Sequence, residues 1–328
     1  MNDVQIALIG ALQHGPLSGP ELGRLLGISR AAVWKQIHQL RIAGLPLRNR
    51  ARRGAAAGYL LPAGCELLNT AAIHRALPPA LGKRLALEVL AATDSTNNAL
   101  LRRPAAQRAG VCCLAETQSA GRGRRGRTWY SPPLGGIYLS LAWRFADGLG
   151  ALGLLGVLCA LNCATALGQL SGLIINVKWP NDLYRDGRKL GGLLIELQGG
   201  PNGPCDAVLG VGVNWRLYQP AKIDRPAADL AAAPAEPGRN DIAAALIAAL
   251  ATACESIPHV QPAAVQRAWD AADLYHHQPV VVSGQSGTVA GIDAGIDERG
   301  GLRLVKDGKI MTLYGGELSV SEAGDATL

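Results

Sequence analysis

At 328 residues the chain is too long for one average domain, so two or three are expected. A composition of 48% hydrophobic and 17% charged residues excludes an intrinsically disordered chain, and a net charge of +7 admits a polyanionic partner without demanding one. Seven cysteines with no C-x-x-C pair, and no secretory pattern at the N-terminus, predict a reduced, cytosolic protein whose thiols fill the core. In chain order, "VQIALIGAL" reads as an apolar helix. "SGPELGRLLGIS" follows as a second helix, with Ser18 as cap and Pro20 in its first turn, and Gly27 marks a turn. A third helix runs from Ser29 with Val33, Ile37 and Leu40 on one face, and Gly44 ends it. Its outer face carries Arg30, Lys35 and Gln36. Beside it, "LPLRNRARRGAAAGYLLP" reads as two strands around a basic turn.

Three helices at this spacing with an adjacent basic hairpin make a helix-turn-helix with a wing. Arg48, Arg50, Arg52 and Arg53 would meet phosphates, with Arg30, Lys35 and Gln36 nearer the base edges. A solvated basic face is the plainer reading of such arginines taken alone. A linker and an Ala/Leu-rich helix broken at Pro78-Pro79 lead to a region of mixed strands and helices. Strands are expected at "GVCCLAE", "GIYLSLAW", "LIINVKW", "KLGGLLIEL" and "DAVLGVGVNW", and helices at 151–170 and 241–255. The uncharged run from Gly148 to Ile175 is long enough for a bilayer, but its polar interruptions favour a buried helix. Arg185-Asp186-Gly187-Arg188 reads as a hairpin turn, and the last fifty residues as short strands of a small, SH3-like β-barrel. The fold class is therefore α+β, divided at 1–62, 63–273 and 274–328.

The stretch "SAGRGRRGRTWYSPP" contains the letters of a dinucleotide loop. That loop must open a helix, and Thr128, Trp129, Tyr130 and a double proline do not. A DNA-binding arm is a second reading, and a loop closing over an anionic ligand is a third. The third is favoured because glycine lets backbone approach closely and arginine binds phosphate or carboxylate in bidentate fashion. "VKWPNDLYRDGRKLGG" adds Lys178, Asp182 and Lys189 around a turn, a set suited to phosphate and Mg²⁺, although a solvated hairpin explains it equally simply. Ser95, Thr96 and Asn97 stand where a strand passes into a helix, the position of an ordinary N-cap.

"DSTN", "ETQSAGRGRRGRTWYSP", "VKWPNDLYRDGRKLGGLLIEL", "LGVGVNW" and "GGELSV", in this order, resemble the biotin–protein ligases, and the helix-turn-helix in front resembles their bifunctional subgroup, the biotin operon repressors. The resemblance spans essentially the whole chain. It implies a class II synthetase-like ligase domain that activates biotin with MgATP to biotinyl-5′-AMP. Biotin then passes to a lysine of the biotin carboxyl carrier protein of acetyl-CoA carboxylase, and an adenylate-bound homodimer grips operator DNA. By the same resemblance Ser95, Thr96, Asn97 and Gln118 would sit at the ureido ring. Arg122, Gly123 and Arg124 would lie in the ordering loop, and Lys189 on the carboxyl and α-phosphate, making Lys189 and Arg124 the catalytic pair. Arg127, Lys178, Asp182 and Asn214 would face the nucleotide, with Asp182 toward Mg²⁺. Gly191, Gly192, Gly210 and Gly212 would keep the pocket walls thin, while Arg125 and Leu193–Leu197 would lie on the dimer side. One departure stands out. The family's adenine-stacking tryptophan is missing from "AKIDRPAADLAAAP", where Arg225 would stack instead or the adenine clamp would be weaker. Two other readings remain: a ligase without DNA binding, and a ligand-sensing transcription factor without ligase activity.

Overall fold

Side-chain caps set where the first helices begin. In this computed structural model, which describes residues 1–52, 55–146, 148–200, 203–219, 222–223, 226–231, 233–284 and 287–320, α1 (Asp3–Gln13) starts at a reciprocal Asn2–Gln5 capping box. After β1 (Leu17–Ser18), α2 (Gly19–Leu26) starts at a second capping box, Ser18–Glu21, and stops at Gly27 with φ 66°. A left-handed residue there costs glycine no Cβ clash. The third helix, α3 (Arg30–Ile42), is capped by Ser29, whose Oγ accepts from Ala32 N at 3.2 Å. Val33, Ile37 and Leu40 are buried against Leu8, Ile9 and Leu22. The hairpin β2 (Arg48–Arg52) and β3 (Ala55–Leu60) joins β1 in a small sheet of order β1-β3-β2, as a wing requires.

α4 (Thr70–Ala76) and α5 (Pro79–Gly82) divide where the paired prolines fall. A large sheet follows, built from β4 (Ala86–Leu90), β5 (Val111–Ala115), β6 (Gly136–Phe145), β7 (Asn176–Lys178), β8 (Asp182–Arg185), β9 (Arg188–Gly199) and β10 (Cys205–Asn214). Its order is β4-β5-β6-β10-β9-β8-β7, antiparallel except for the pair β4/β5. The short helix α6 (Thr96–Leu101) makes the crossover between those two parallel strands. Asp186 and Gly187, with φ 49° and 69°, form the two-residue turn between β8 and β9, matching the hairpin read from the sequence.

α7 (Leu155–Ser171) and α8 (Arg239–Ser256) pack on each other and on the sheet. The uncharged run flagged in the sequence is thus a buried helix of 17 residues after a short 3₁₀ turn. Among the described residues, the stretch 239–259 is the one long and apolar enough to cross a membrane, yet 61% of its apolar window is buried within the protein. All seven cysteines are free and buried. Burial pushes their thiols up, Cys163 to about 12, which suits core filling and not nucleophilic work.

α9 (Pro262–Ala272) leads into β11 (Pro279–Gly284), β12 (Gly287–Ile296), β13 (Leu302–Lys306), β14 (Lys309–Leu313) and β15 (Glu317–Val320). These strands pair in the order β14-β13-β12-β11-β15. The sheet is strongly punctuated by glycine turns, as expected. It is not closed, because β14 and β15 are its two edges and do not pair among the described residues. One apolar cluster runs from α1–α3 through the large sheet to β11–β13.

Candidate functional site

The site is assembled where the β4–α6 junction, the arginine loop and the β8–β9 hairpin converge over β10. A cavity of ≈680 Å³ opens there. Ser95, Thr96, Asn97, Gln118, Arg122, Gly123, Arg124, Arg127, Lys178, Asp182, Lys189, Gly192, Gly210, Gly212 and Asn214 all line it, so most of the pocket residues singled out from the sequence converge on one place.

At its floor, Ser95 stands at the N-cap position of α6, as the sequence suggests, but its side chain makes no cap hydrogen bond. Ser95, Thr96 and Asn97 are all buried, and the Thr96 and Asn97 side chains are hydrogen-bonded inward. Gln118 Oε1 accepts from Thr96 N at 2.9 Å, and Gln118 Nε2 donates to Ser131 Oγ at 2.9 Å. Ser140 Oγ lies 2.7 Å from Thr96 Oγ1 and donates to Asn97 Oδ1 at 2.5 Å. Asn97 Nδ2 donates to Glu196 Oε2 at 2.8 Å and to Leu194 O at 3.1 Å. The neighbouring Asp94 carboxyl is held well below the usual range by Arg102 and Asn98, which pins the start of α6. The result is a fixed, neutral array of short donors and acceptors, the chemistry that a urea-like group needs.

The arginine loop folds as a tight hairpin. Gly123 N donates to Arg127 O at 2.7 Å, and Trp129 N to Gly121 O at 2.8 Å. Between them lies a single 3₁₀ turn, Arg124–Gly126, with Arg125 at φ 55°. No helix starts at these glycines, which removes the dinucleotide reading. The arginines fan out. Arg122 pairs with Glu196 at 2.8 Å and donates to Asn98 Oδ1 at 2.6 Å. Arg125 donates to Ser283 O at 3.2 Å, and Arg127 pairs with Glu317. The loop is therefore anchored to β11 and β15. Arg124 turns inward to Asn181 Oδ1 at 3.1 Å, and burial beside Arg125 lowers its pKa from the usual arginine value.

Opposite the loop, Lys189 Nζ donates to Asp182 Oδ1 at 2.7 Å and lies 5.8 Å from the Trp129 ring centroid. The Lys189 backbone is fixed on both sides, from its N to Pro226 O and from Ala228 N to its O. Lys178 Nζ reaches Tyr184 Oη at 3.2 Å and lies over the Tyr184 and Tyr275 rings. Asn214 Nδ2 donates to Ala228 O at 2.9 Å. The thin walls are real at three glycines. A Cβ on Gly210 would stand 2.2 Å from Asn97 Oδ1, on Gly212 2.7 Å from the Trp129 ring, and on Gly192 3.0 Å from Asp182 Oδ1. Gly191 does not line the cavity; its Cβ would meet Gly212 O across the strands at 2.8 Å. Lys222, Ile223 and Ala227 line the side where the adenine clamp was sought, whereas Arg225 lies outside the described residues.

Sequence reasoning missed Ser140, Glu196 and Trp129. Ser140 carried a signal, a lone serine within the apolar run of β6. Trp129 also carries weight, because its Nε1 is buried and has no hydrogen-bond partner among the described residues. At the other end, Arg30, Lys35 and Arg48 are exposed, and Gln36 is half-buried with its Oε1 accepting from Asn2 Nδ2 at 3.4 Å. Arg50 and Arg52 lie in β2, but their side chains, like all of Arg53, are outside the described residues. Arg125 faces Ser283 of its own chain. Leu193 is buried, while Leu197 is 40% exposed.

The fold and site define a ligase domain behind a helix-turn-helix. A model of the Biotin/lipoate A/B protein ligase family matches residues 89–214, and an HTH-domain model matches residues 5–60. The chain is 37% identical to the "Bifunctional ligase/repressor BirA" of Escherichia coli (strain K12), over 98% of each chain. It is 34% identical to the "Biotin--[acetyl-CoA-carboxylase] ligase" of Mycobacterium tuberculosis, over 71% of this chain and 88% of that one. Its fold matches that of a biotin protein ligase from Aquifex aeolicus solved with biotin and ATP, with a TM-score of 0.61 and 23% identity, covering 72% of this chain and 99% of that one. The chain belongs to the bifunctional biotin–protein ligase/repressor family.

Proposed function

We propose that the protein is a biotin–protein ligase that also represses transcription when its adenylate is bound. The observation that carries this is the meeting of Lys189, Arg124 and the Ser95–Asn97 array in one cavity under the arginine loop. In the first step a biotin carboxylate oxygen bonds to the α-phosphorus of ATP. The bond from that phosphorus to the bridging oxygen breaks, and pyrophosphate leaves. In the second, the amine of a carrier lysine bonds to the anhydride carbonyl carbon, loses a proton, and AMP leaves. Negative charge stays on carboxyl and phosphate oxygens throughout. Catalysis is therefore positioning plus charge neutralisation by Lys189 and Arg124, with Lys178, Arg127 and Asn214 toward the nucleotide. Ser95, Thr96, Asn97 and Gln118 hold the ureido ring, and the loop of Arg122 and Gly123 excludes water above it. Asp182 suits Mg²⁺, an ion that takes one or two carboxylates and completes its shell with phosphate oxygens and water, where it would screen the phosphate charge.

Three units are proposed: residues 1–62 for DNA, 63–273 for biotin and ATP, and 274–328 as an SH3-like module whose edge strands do not pair among the described residues. The partners are the biotin carboxyl carrier protein of acetyl-CoA carboxylase, operator DNA and, once the adenylate has formed, a second copy of this chain. The proposed compartment is the cytoplasm. Arg125 and Leu193–Leu197 are the proposed dimer side, and adenylate that orders this face would favour the dimer and so a palindromic site.

Gly210→Ala is expected to raise the KM for biotin by about 10-fold or more at little cost in kcat, as overpacking a filled site costs ~1–3 kcal/mol. Steady-state pyrophosphate release checks this, and an unchanged KM would remove Gly210 from the pocket wall. In gel shifts on a biotin operator, binding should require biotin and ATP together. Arg48→Ala should weaken binding about equally on every sequence and reduce its salt dependence by about one ion, whereas Arg30→Ala and Lys35→Ala should each cost about 1–3 kcal/mol and relax the preference for the operator. Shifts indifferent to biotin and ATP would leave a ligase without co-repressor control.

A further inference from the structure

Where α9 runs into β11, four ionisable side chains gather that neither the ligase chemistry nor DNA binding uses. Asp270 lies on α9, Asp273 at its C-cap, His276 in the next turn and Asp293 on β12. Asp293 is fully buried. Its Oδ1 accepts from Gly295 N at 2.8 Å, but its Oδ2 is buried with no hydrogen-bond partner among the described residues. His276 Nδ1 and Asp270 Oδ1 are also buried, 3.9 Å apart, with no hydrogen-bond partner among the described residues. One ligand atom from each of Asp273, His276 and Asp293 lies within 4.8 Å of the other two.

A buried polar atom left unpaired costs stability, and two carboxylates crowded together cost more. A cation among the three would answer both penalties. One imidazole nitrogen with two carboxylates is a three-ligand set suited to a transition metal of the zinc class, whereas Mg²⁺ and Ca²⁺ favour oxygen alone. The ligands are already held from behind. Asp273 Oδ2 accepts from Trp269 Nε1 at 3.0 Å, and Asp273 Oδ1 from Tyr275 N at 3.1 Å. Outer-shell bonds of this kind orient metal ligands.

We propose that Asp273, His276 and Asp293 form a binding site for a zinc-class divalent metal that clamps β12 to the end of α9. The clamp reaches the ligase cavity through the backbone. Leu274 N donates to Val177 O at 2.9 Å, and Val177 precedes Lys178. Tyr275, between two of the ligands, places its ring 5.7 Å from Lys178 Nζ. Bound metal would therefore steady the nucleotide side of the cavity.

The test titrates chelator-stripped full-length protein with ZnCl₂ against a chromophoric chelator, alongside His276→Gln and Asp293→Asn. The wild type is expected to take up one zinc per chain, to gain a few degrees in Tm, and to show Co²⁺ d–d absorption when cobalt replaces zinc. Both variants should lose all three signals while keeping the wild-type circular dichroism. His276 is partly exposed, so His276→Gln carries the test alone if Asp293→Asn does not fold. No stoichiometric zinc would overturn the proposal, leaving the carboxylates to share a proton. Equal uptake by the variants would overturn it too, placing the zinc on other groups.

Discussion

Lys189→Ala is expected to slow biotinyl-adenylate formation about 10²–10³-fold, the usual loss when one preorganised donor to a charged transition state is removed. Of the positive groups on the β8–β9 hairpin, Lys189 lines the cavity and Arg185 and Arg188 do not. Its position owes little to its own flexibility, because Asp182 Oδ1 holds Nζ at 2.7 Å and the Lys189 backbone is bonded to Pro226 and Ala228. Truncation therefore removes charge without loosening the strand. Asp182 and Lys189 side chains are 20% and 17% exposed, so water can reach the carboxylate left behind. Tm should accordingly stay near that of the wild type. Lys189→Arg should not restore the rate, since a planar fork cannot replace a compact ammonium at this spacing. Pyrophosphate release under saturating biotin and ATP checks the effect; a rate near wild type would strip Lys189 of its role.

Arg239→Ala should cost about 3–5 kcal/mol of stability, the range for breaking a buried ion pair by removing one partner. Arg239 and Glu116 are 0% and 1% exposed and meet at 2.7 Å. Arg239 also donates to Glu66 O at 2.7 Å and to Gly136 O at 3.0 Å, while Glu116 Oε1 accepts from Leu68 N at 2.5 Å. One guanidinium thus fastens the segment behind the helix-turn-helix, the start of β6 and the N-terminus of α8. Alanine there strands the Glu116 charge in an apolar core. The double variant Arg239→Met with Glu116→Leu should lose much less, because no charge is left behind. Urea denaturation monitored by tryptophan fluorescence distinguishes the two; equal stability of Arg239→Ala and wild type would show the pair to be dispensable.

The contrast between these two sites explains what the sequence made legible. Lys189 stands in a short motif whose partners, Asp182 and Gly192, are within seven residues, so the chemistry could be read locally. The same holds for the Ser18 and Ser29 caps and for the Asp186-Gly187 turn. Arg239 finds Glu116 across 123 residues, and Glu196 reaches Asn97 and Arg122 across 99 and 74, distances at which side-chain type carries no pairing information. Barrel closure at the C-terminus is long-range in the same way. The short strands were visible, but the pairing of β15 with β11, which leaves β14 as the opposite edge, depends on contacts no local pattern records. The Asp273–His276–Asp293 cluster escaped notice because Asp293 comes from a glycine-rich strand that reads as surface.

Biotinylation of a carrier tests the central claim most directly. Full-length protein is incubated with MgATP, labelled biotin and the biotin carboxyl carrier domain of acetyl-CoA carboxylase. Label should appear on a carrier lysine, depend on ATP, and fall away in Lys189→Ala. An unlabelled carrier, with biotin and ATP bound normally, would contradict ligase activity and leave a ligand-sensing DNA-binding protein in its place.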